Sequence, residues 1–366
     1  MRLPLRRERD ATADPTAEIL SGYQSLPRVI GGSAVLLVIG WVLAKGAGDT
    51  RQLATVTLNG ITLAALYFVV ASGFTLIFGL MRIVNMAHGS LYLLGGYIAF
   101  ELQKGLFEKE SEGLNLSLAS PSGASSEYDL VGWLVPVVVA ALAIGLLGVL
   151  IQQVFLRWNQ GQDLRQALIT IAISVILADQ MLAHFGGIAK DIKAPVDWPE
   201  SVTLFGVQYG FFRLVIVTGA ALIIGIGLWW LIKRTRFGLI VRAGVDDRDM
   251  VSALGINIPI VFAVAFFLGA MLAGIGGGLG GTMIALEPGE DASFLLSSLI
   301  VVIIGGMGSL GGAAIGAILL GLVDAYADVY LVFGDTDLTN YSILLTFALL
   351  VVVLAVRPLG LFGRPA

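Results

Sequence analysis

Long apolar blocks are the feature that most constrains the fold of this chain. Most of them reach the 17–25 residues, roughly, that a helix needs to cross the hydrocarbon core of a bilayer. The sequence is 57% hydrophobic and 13% charged, whereas a soluble domain has about 25% charged residues. The blocks cover residues 29–44, 55–80, 84–101, 131–156, 166–184, 211–232, 258–281, 294–311, 313–331 and 340–357. The chain is therefore predicted to be a polytopic membrane protein.

Helices are the expected element, because backbone groups in lipid must find their hydrogen-bond partners inside the same segment. The alternating pattern of a membrane β-barrel is absent from the sequence. Glycines interrupt several blocks, so some helices are expected to be broken. The segments HGSLYLLGGYIAF and MGSLGGAAIGAIL share Gly-Ser-Leu at the start of a span, which raises a possible internal repeat. The prediction is an all-α fold with about ten transmembrane or broken helices.

The distribution of charge predicts the orientation of these helices. If every block crosses the bilayer, most of the 22 Lys and Arg residues fall on the side of the N-terminus. That side is then cytoplasmic by the positive-inside rule, and both termini lie there. Residues 1–27 are predicted to form a basic cytoplasmic tail, and residues 28–366 the transmembrane domain. Residues 102–130, rich in Ser and Gly, are predicted to form an external loop.

The longest cytoplasmic loop, residues 233–257, contains the sequence DDRDMVSALG. This pattern predicts a short helix, because Asp246 or Asp247 can cap its N-terminus and Gly255 can close its C-terminus. On such a helix Met250, Val251 and Leu254 are expected to share one face.

The short amphipathic helix in this loop has two possible roles. It can dock into a groove on a cytoplasmic partner, or it can lie flat on the lipid headgroups. The pattern of residues alone leaves both roles open.

Glycines at a spacing of four residues recur in the C-terminal half. Gly274 and Gly278 form one such pair, and Gly308, Gly312 and Gly316 form a series. Small residues at this spacing let helices approach closely in lipid. We therefore expect these five glycines to serve helix packing.

Polar residues interrupt the apolar stretch MRIVNMAHGSLYLLGGYIAF near the start of the third block. One interpretation is a cytoplasmic turn followed by a helix whose polar start is solvated. The other is a break at membrane depth, where polar groups and free backbone line a passage. The candidate pathway residues in this stretch are Asn85, His88, Gly89, Tyr92 and Gly96.

Ionisable residues inside the predicted spans are few. Asp179 lies in the fifth block, and Asp324 and Asp328 lie in the ninth. Such residues line pathways or pair with one another, because exposing them to lipid is expensive. Asp324 lies deeper than Asp328 and is the better pathway candidate.

Several classes of function lose support from what the sequence lacks. The chain contains no cysteine and only two histidines, so no metal site is predicted. The nucleotide-binding loop G-x-x-x-x-G-K-[ST], H-E-x-x-H and G-x-S-x-G are all absent. No catalytic residues are assigned, and an integral-membrane enzyme is disfavoured. A net charge of -4 gives no reason to expect nucleic acid as a partner.

Three blocks of the sequence together resemble one protein family. They read LNGITLAALYFVVASGFTLIFGLMRIVNMAHGSLYLLGGYIAF, RAGVDDRDMVSALGINIPIVFAVAFFLGAMLAGIGGGLGG and VVIIGGMGSLGGAAIGAILLGLVDA, in that order. They are similar to the permeases of branched-chain amino-acid ABC importers (LIV-type, H-subunit class), a family with urea and short-amide relatives.

The resemblance implies a transport subunit that is not itself an enzyme. It implies movement of a branched-chain amino acid, or a similar small zwitterion or amide, across the bacterial inner membrane. The implied partners are a homologous second permease, two cytoplasmic ATPases that bind ATP and Mg, and a periplasmic solute-binding protein. No cofactor is expected on this chain.

The resemblance also assigns roles within the chain. It favours coupling to the ATPases for the helix at residues 245–255, with Gly255 matching the family's loop glycine. It favours a pathway role for residues 85–96 and for Asp324. The rival functions are a urea or short-amide ABC permease, an ion-coupled secondary transporter and a gated channel.

Overall fold

The structure is a computed structural model of the chain, and it describes most of the apolar region. The described residues are 49–81, 84–111, 130–159, 161–195, 201–204, 206–246, 248–333 and 336–363. The predicted basic tail and the first apolar block, residues 29–44, lie outside them.

The described residues form an all-α architecture, as predicted, with two small hairpins. The helices are α1 (Thr50–Met81), α2 (His88–Ser111), α3 (Leu130–Ile151), α4 (Asp163–Phe185), α5 (Thr218–Arg234), α6 (Arg236–Asp246), α7 (Arg248–Ala253), α8 (Ile258–Met283), α9 (Glu290–Gly305), α10 (Leu310–Tyr330) and α11 (Ser342–Val356). Short π-helical turns, Gln152–Leu156 and Phe212–Val217, extend α3 and precede α5. The strands are β1 (Ser201–Leu204), β2 (Val207–Gly210), β3 (Val332–Phe333) and β4 (Thr336–Asp337), which pair as β1–β2 and β3–β4.

Two helix starts in this chain are marked by polar caps. The Asn257 side chain accepts a hydrogen bond from the backbone N–H of Ile260, and Pro259 occupies the first turn of α8. Ser309 caps α10 by accepting from the N–H of Gly312 at 3.1 Å. These caps satisfy amide groups that have no partner inside the helix. Between the caps the apolar blocks continue as helix.

The core is built from α1, α2, α3, α8 and α10, which pack through glycine-rich surfaces. A methyl group added at Gly73 would overlap the backbone of Gly269, and one at Gly95 would lie 2.6 Å from the Cα of Gly274. Neighbouring helices therefore touch backbone against backbone, as small residues permit in membranes. Phe74 and Phe266 fill the space beside these contacts and are almost completely buried.

Six helices of the described region are long and apolar enough to cross a membrane. They are α1, α4, α8, α10, α3 with its extension to Asn159, and α5 with its preceding π-helical turn. The shorter α11 is also apolar. Each predicted block from residues 55–80 onward overlaps one helix. Helix α2 continues to Ser111, so the first part of the predicted loop 102–130 is helical.

The two ends of the bundle differ in charge. At one end, Gly79 near the end of α1 approaches Gly308 in the α9–α10 turn, and Gly306 in the same turn approaches Gly363 of the C-terminal segment. Helix α5 ends there too, with Lys233 and Arg234 in its last turn. We call this the basic end and the other the opposite end.

A short segment after α4, residues 186–195, ties several elements together at the opposite end. Lys190 forms a β-bridge with Leu286, and the N–H of Ile192 donates to the carbonyl of Gly281 at 2.9 Å. The Gln103 side chain of α2 accepts from the N–H of Lys193 at 2.9 Å and donates to its carbonyl at 3.0 Å. We call residues 186–195 the strap.

The β1–β2 hairpin is anchored to α1 by Tyr209. Its hydroxyl donates to Asn59 Oδ1 at 2.9 Å and lies 2.9 Å from Thr62 Oγ1. Burial raises the pKa of Tyr209 above its ordinary value. The phenol therefore stays protonated and keeps its donor role.

Candidate functional site

Helix α2 begins in the interior of the bundle, level with the middle of α1. Helix α1 ends at Met81, and the chain then turns back through non-helical residues before α2 starts at His88. His88 Nε2 lies 2.9 Å from the carbonyl oxygen of Val70, which precedes Met81 by eleven residues, or roughly 16 Å along a helix. The N–H of Met86 donates to Thr170 Oγ1, seven residues after the start of α4 at Asp163, at 3.2 Å. This geometry favours a break at membrane depth over a turn at the surface.

Asn85 and His88 form the turn that starts α2. Asn85 Oδ1 accepts from the N–H of Ala87 at 3.2 Å, and the His88 ring meets the edge of Phe74 at 5.5 Å between ring centres. Both side chains are fully buried. Within the described residues Asn85 Nδ2 and His88 Nδ1 have no hydrogen-bond partner. Buried polar atoms without partners are rare, and here they mark the break.

The remaining candidate residues of α2 hold the helix against α8 and α9. A methyl group at Gly89 would overlap the carbonyl oxygen of Asp291, and one at Gly96 would lie 2.9 Å from that of Gly277. The Tyr92 ring stacks on Phe294 with its centre 4.0 Å away. These residues are packed in the core, and their role in a pathway stays a prediction.

Helix α9 also begins inside the bundle, beside the start of α2. The Ser90 hydroxyl donates to Asp291 Oδ2 at 3.1 Å and lies 2.8 Å from the hydroxyl of Ser174 on α4. Gly289, which precedes α9, has a φ of 99°, a conformation that favours glycine. The starts of α2 and α9 and the middle of α4 therefore meet at one place.

An open cleft of 390 Å³ lies beside this meeting point. It is bounded by α2, α4 and the turn between α8 and α9. Its lining is Leu93, Tyr97, Val175, Ala178, Asp179, Met181, Leu182, Pro288, Gly289 and Asp291. The cleft combines apolar walls with two carboxyl groups.

Asp324 lies away from the cleft, at a junction of three helices. Its carboxylate accepts hydrogen bonds from the hydroxyl of Tyr67 on α1, at 2.9 Å, and from that of Thr346 on α11. These contacts satisfy a carboxylate inside the bundle. The structure therefore shows Asp324 bonded to Tyr67 and Thr346, and its role in a pathway stays a prediction.

The predicted coupling loop contains two helices rather than one. Helix α6 ends at Asp246 and α7 covers Arg248–Ala253, while Asp247 lies outside the described residues. Gly255 has a φ of 82°, as a residue that ends a helix often does.

Met250 and Val251 of α7, and Leu254 directly after it, differ in exposure. Val251 is 2% exposed and packs inward, whereas Met250 is 60% and Leu254 72% exposed. The helix is anchored through Val251, and Met250 and Leu254 remain at the surface. Whether these three residues act together in coupling stays a prediction.

The five packing glycines lie at close helix contacts. A side chain at Gly274 or Gly278 would press on α3, and one at Gly312 or Gly316 would collide with the backbone of α9. Gly308, with a φ of 83°, forms the turn between α9 and α10 and approaches α1.

Sequence reasoning missed two contributors to this region. They are Asp291, in the first turn of α9, and Ser90, in the first turn of α2. The order Pro288, Gly289, Glu290, Asp291 before an apolar run is a helix-start signal that could have placed Asp291 at the head of a helix. No group of three potential metal ligands occurs within the described residues.

Comparisons with known proteins agree on one family. The sequence model of the family "Branched-chain amino acid transport system / permease component" matches residues 56–354. The high-affinity branched-chain amino acid transport system permease protein BraD of Pseudomonas aeruginosa is 30% identical over 321 residues, which cover 84% of this chain and 94% of that protein. LivH of Escherichia coli is 29% identical over 315 residues, with the same coverage.

An archaeal protein is also similar in sequence. A probable branched-chain amino acid transport permease protein LivH of Methanocaldococcus jannaschii is 26% identical over 315 residues, covering 83% of this chain and 91% of that protein. No solved structure matches the chain. The resemblance seen in the sequence is confirmed: the chain is a membrane protein that belongs to the family of permease components of branched-chain amino acid transport systems.

Proposed function

We propose that this chain is the transmembrane permease subunit of an ATP-binding-cassette importer in the bacterial inner membrane. It moves a branched-chain amino acid with a homologous second permease, two ATPase subunits that bind ATP and Mg, and a periplasmic solute-binding protein. The observation that carries the proposal is the family match over residues 56–354. In this proposal about ten segments enter the membrane, the possible internal repeat relates its two halves, and both termini and the basic end are cytoplasmic.

The break before α2 supports a transport role. A helix that starts at membrane depth is tolerated where its free groups lie in protein or face a cavity. Transporters commonly bind their solutes at such interrupted helices. Here the starts of α2 and α9 meet beside a cleft of 390 Å³. The buried Asn85 and His88 close the route from that cleft toward the basic end.

The α6–α7 region supports coupling to the ATPases. Helix α7 is exposed at the basic end, and Met250 and Leu254 project from its surface. Helix α6 packs on α5 and touches α1 and α8, which carries a displacement of α7 into the bundle. ATP binding in the partners would move α7 and shift the α1–α8 pair. That shift would free α2 to open or close the route past His88.

The solutes of the related transporters differ in charge. Urea and short amides are uncharged, whereas an amino acid is a zwitterion. The two carboxyl groups that line the cleft favour a solute with an ammonium group. A secondary transporter would instead need coupling-ion ligands and no ATPase.

Uptake into reconstituted vesicles tests the proposal. The permease is purified with its companion permease, ATPases and binding protein, and uptake of radiolabelled leucine and urea is followed. We expect leucine uptake that requires ATP and survives dissipation of ion gradients. Uptake driven by an ion gradient without ATP would establish a secondary transporter instead. Uptake of urea alone would move the chain to the amide-transporting relatives.

A further inference from the structure

The exposed face of α4 contains a charged residue. Most of its exposed side chains are apolar, for example Leu168, Ile171 and Val175, which suits lipid. Asp179 is also exposed, six residues before the helix ends at Phe185. That separation is roughly 9 Å along the helix, too deep for a short acidic side chain to reach the surface. The Asp179 side of α4 therefore faces water in the cleft or a polar ligand.

Asp291 brings a second carboxylate to the same cleft from another helix. It is 9% exposed, lines the cleft, and accepts a hydrogen bond from Ser90. No lysine, arginine or histidine lines the cleft within the described residues. The dipole of α9 favours a negative charge at Asp291, which is in its first turn. The dipole does not stabilise a negative charge at Asp179, which lies in the interior of α4.

We propose that Asp179 and Asp291 together bind the ammonium group of the transported solute. This inference rests on the proposed function and deepens it, because it assigns the solute a primary amine. The apolar side chain of the solute would lie against Leu93, Val175 and Leu182.

The size and charge of the cleft fit this ligand. Its 390 Å³ fall within the roughly 300–1,000 Å³ of small-molecule sites, which are mostly apolar with a few polar groups. Two carboxylates that line one cleft concentrate cations there. A neutral amide is not concentrated in this way, so the site discriminates against urea.

Charged thiol reagents can measure the electrostatic potential in the cleft at one introduced cysteine, because the chain contains no cysteine of its own. Ala178 lines the cleft, whereas Ala183 lies exposed elsewhere on α4. Each is changed to cysteine in the full chain and labelled with a trimethylammonium-ethyl or a sulfonato-ethyl methanethiosulfonate. The labelling rate with each reagent is divided by the rate of the same reagent with a free thiol. Comparing the ratios at positions 178 and 183 then cancels general effects of the membrane.

We expect the cationic reagent to be favoured about tenfold more at Ala178→Cys than at Ala183→Cys, since carboxylates concentrate cations locally. The preference should fall at least threefold when Asp179→Asn and Asp291→Asn are added together. Leucine should slow labelling at Ala178→Cys and not at Ala183→Cys. Equal preference at both positions, or a preference that survives loss of both carboxylates, would overturn the proposal.

Uptake by the reconstituted complex separates this inference from the proposed function. If wild type takes up no leucine, the proposed function fails whatever the labelling shows. If it does, we expect Asp179→Asn and Asp291→Asn each to lower the maximal rate about tenfold. Asp179→Glu, which keeps the charge, should retain most of the rate. The control Asp328→Asn removes an exposed carboxylate outside the cleft; a loss equal to that of Asp179→Asn would sink the inference.

Discussion

Gln103 is expected to hold the strap closed over the opposite end of the bundle. Its side chain is 3% exposed and makes two hydrogen bonds to the backbone of Lys193, at 2.9 and 3.0 Å. Gln103→Ala removes both. A net contribution of about 0.5–1.5 kcal/mol per hydrogen bond gives a loss of about 1–3 kcal/mol. The strap should therefore open about 5–150 times more often.

Amide hydrogen exchange followed by mass spectrometry reports that opening. The relevant amides are those of Lys190 and Ile192, because their own acceptors, Leu286 and Gly281, are untouched by the substitution. Faster exchange at these positions thus reports opening of the strap rather than loss of a direct partner. Exchange in the middle of α8 should not change.

The control is Gln180→Ala, which removes an exposed glutamine from α4. It should leave exchange in the strap unchanged. If Gln103→Ala also leaves exchange at Lys190 and Ile192 unchanged, the two hydrogen bonds do not hold the strap. The hydrogen bonds of Lys190 to Leu286 and of Ile192 to Gly281 would then hold the strap.

Three further changes test the coupling surface and the packing of the bundle. Leu254→Asp should abolish co-purification of the ATPase in a detergent pull-down, because it puts a charge into an apolar docking surface. Gly89→Ala should destabilise the protein by about 1–3 kcal/mol, seen as a lower melting temperature, because its methyl group would overlap the carbonyl of Asp291. Tyr67→Phe should cost a similar 1–3 kcal/mol or so, since it removes a donor to Asp324.

Each of these changes has a matched control. Leu359→Asp alters an exposed leucine that follows α11, and the ATPase should still co-purify. Gly105→Ala lies in α2 with open space around it, so it should leave stability equal or slightly higher. Tyr341→Phe changes an exposed tyrosine and should have no effect. Equal results for a change and its control would contradict the corresponding argument.

The helices could be predicted from the sequence because lipid leaves the backbone no other choice. Long apolar blocks therefore located α1, α3, α4, α8 and α10 to within a few residues. The irregular polar run before α2 raised a break at membrane depth as one of two alternatives. The depth of this break in the bundle could not be inferred from the sequence. It depends on where His88 finds a hydrogen-bond acceptor, which is the carbonyl of Val70 on α1.

The cleft could not be predicted because its members are distant in the sequence. Asp179 and Asp291 line one cleft because α2 packs on α4 through Ser90 and on α9 through Gly89. Neither contact leaves a periodic signature. The inward turn of Val251 was equally hidden, since a short helix gives the same apolar pattern whichever residue becomes its anchor.

The glycine contacts between α1, α2 and α8 have a consequence for the kinetics of this protein. Where Gly73 meets Gly269 and Gly95 meets Gly274, backbone lies close to backbone, and side chains such as Ile77 and Ile144 occupy the space beside the glycines. Interlocked surfaces must separate before they move, which adds an activation barrier. We therefore expect relative motion of α1, α2 and α8 to be slow, because it has to carry these side chains out of the glycine notches.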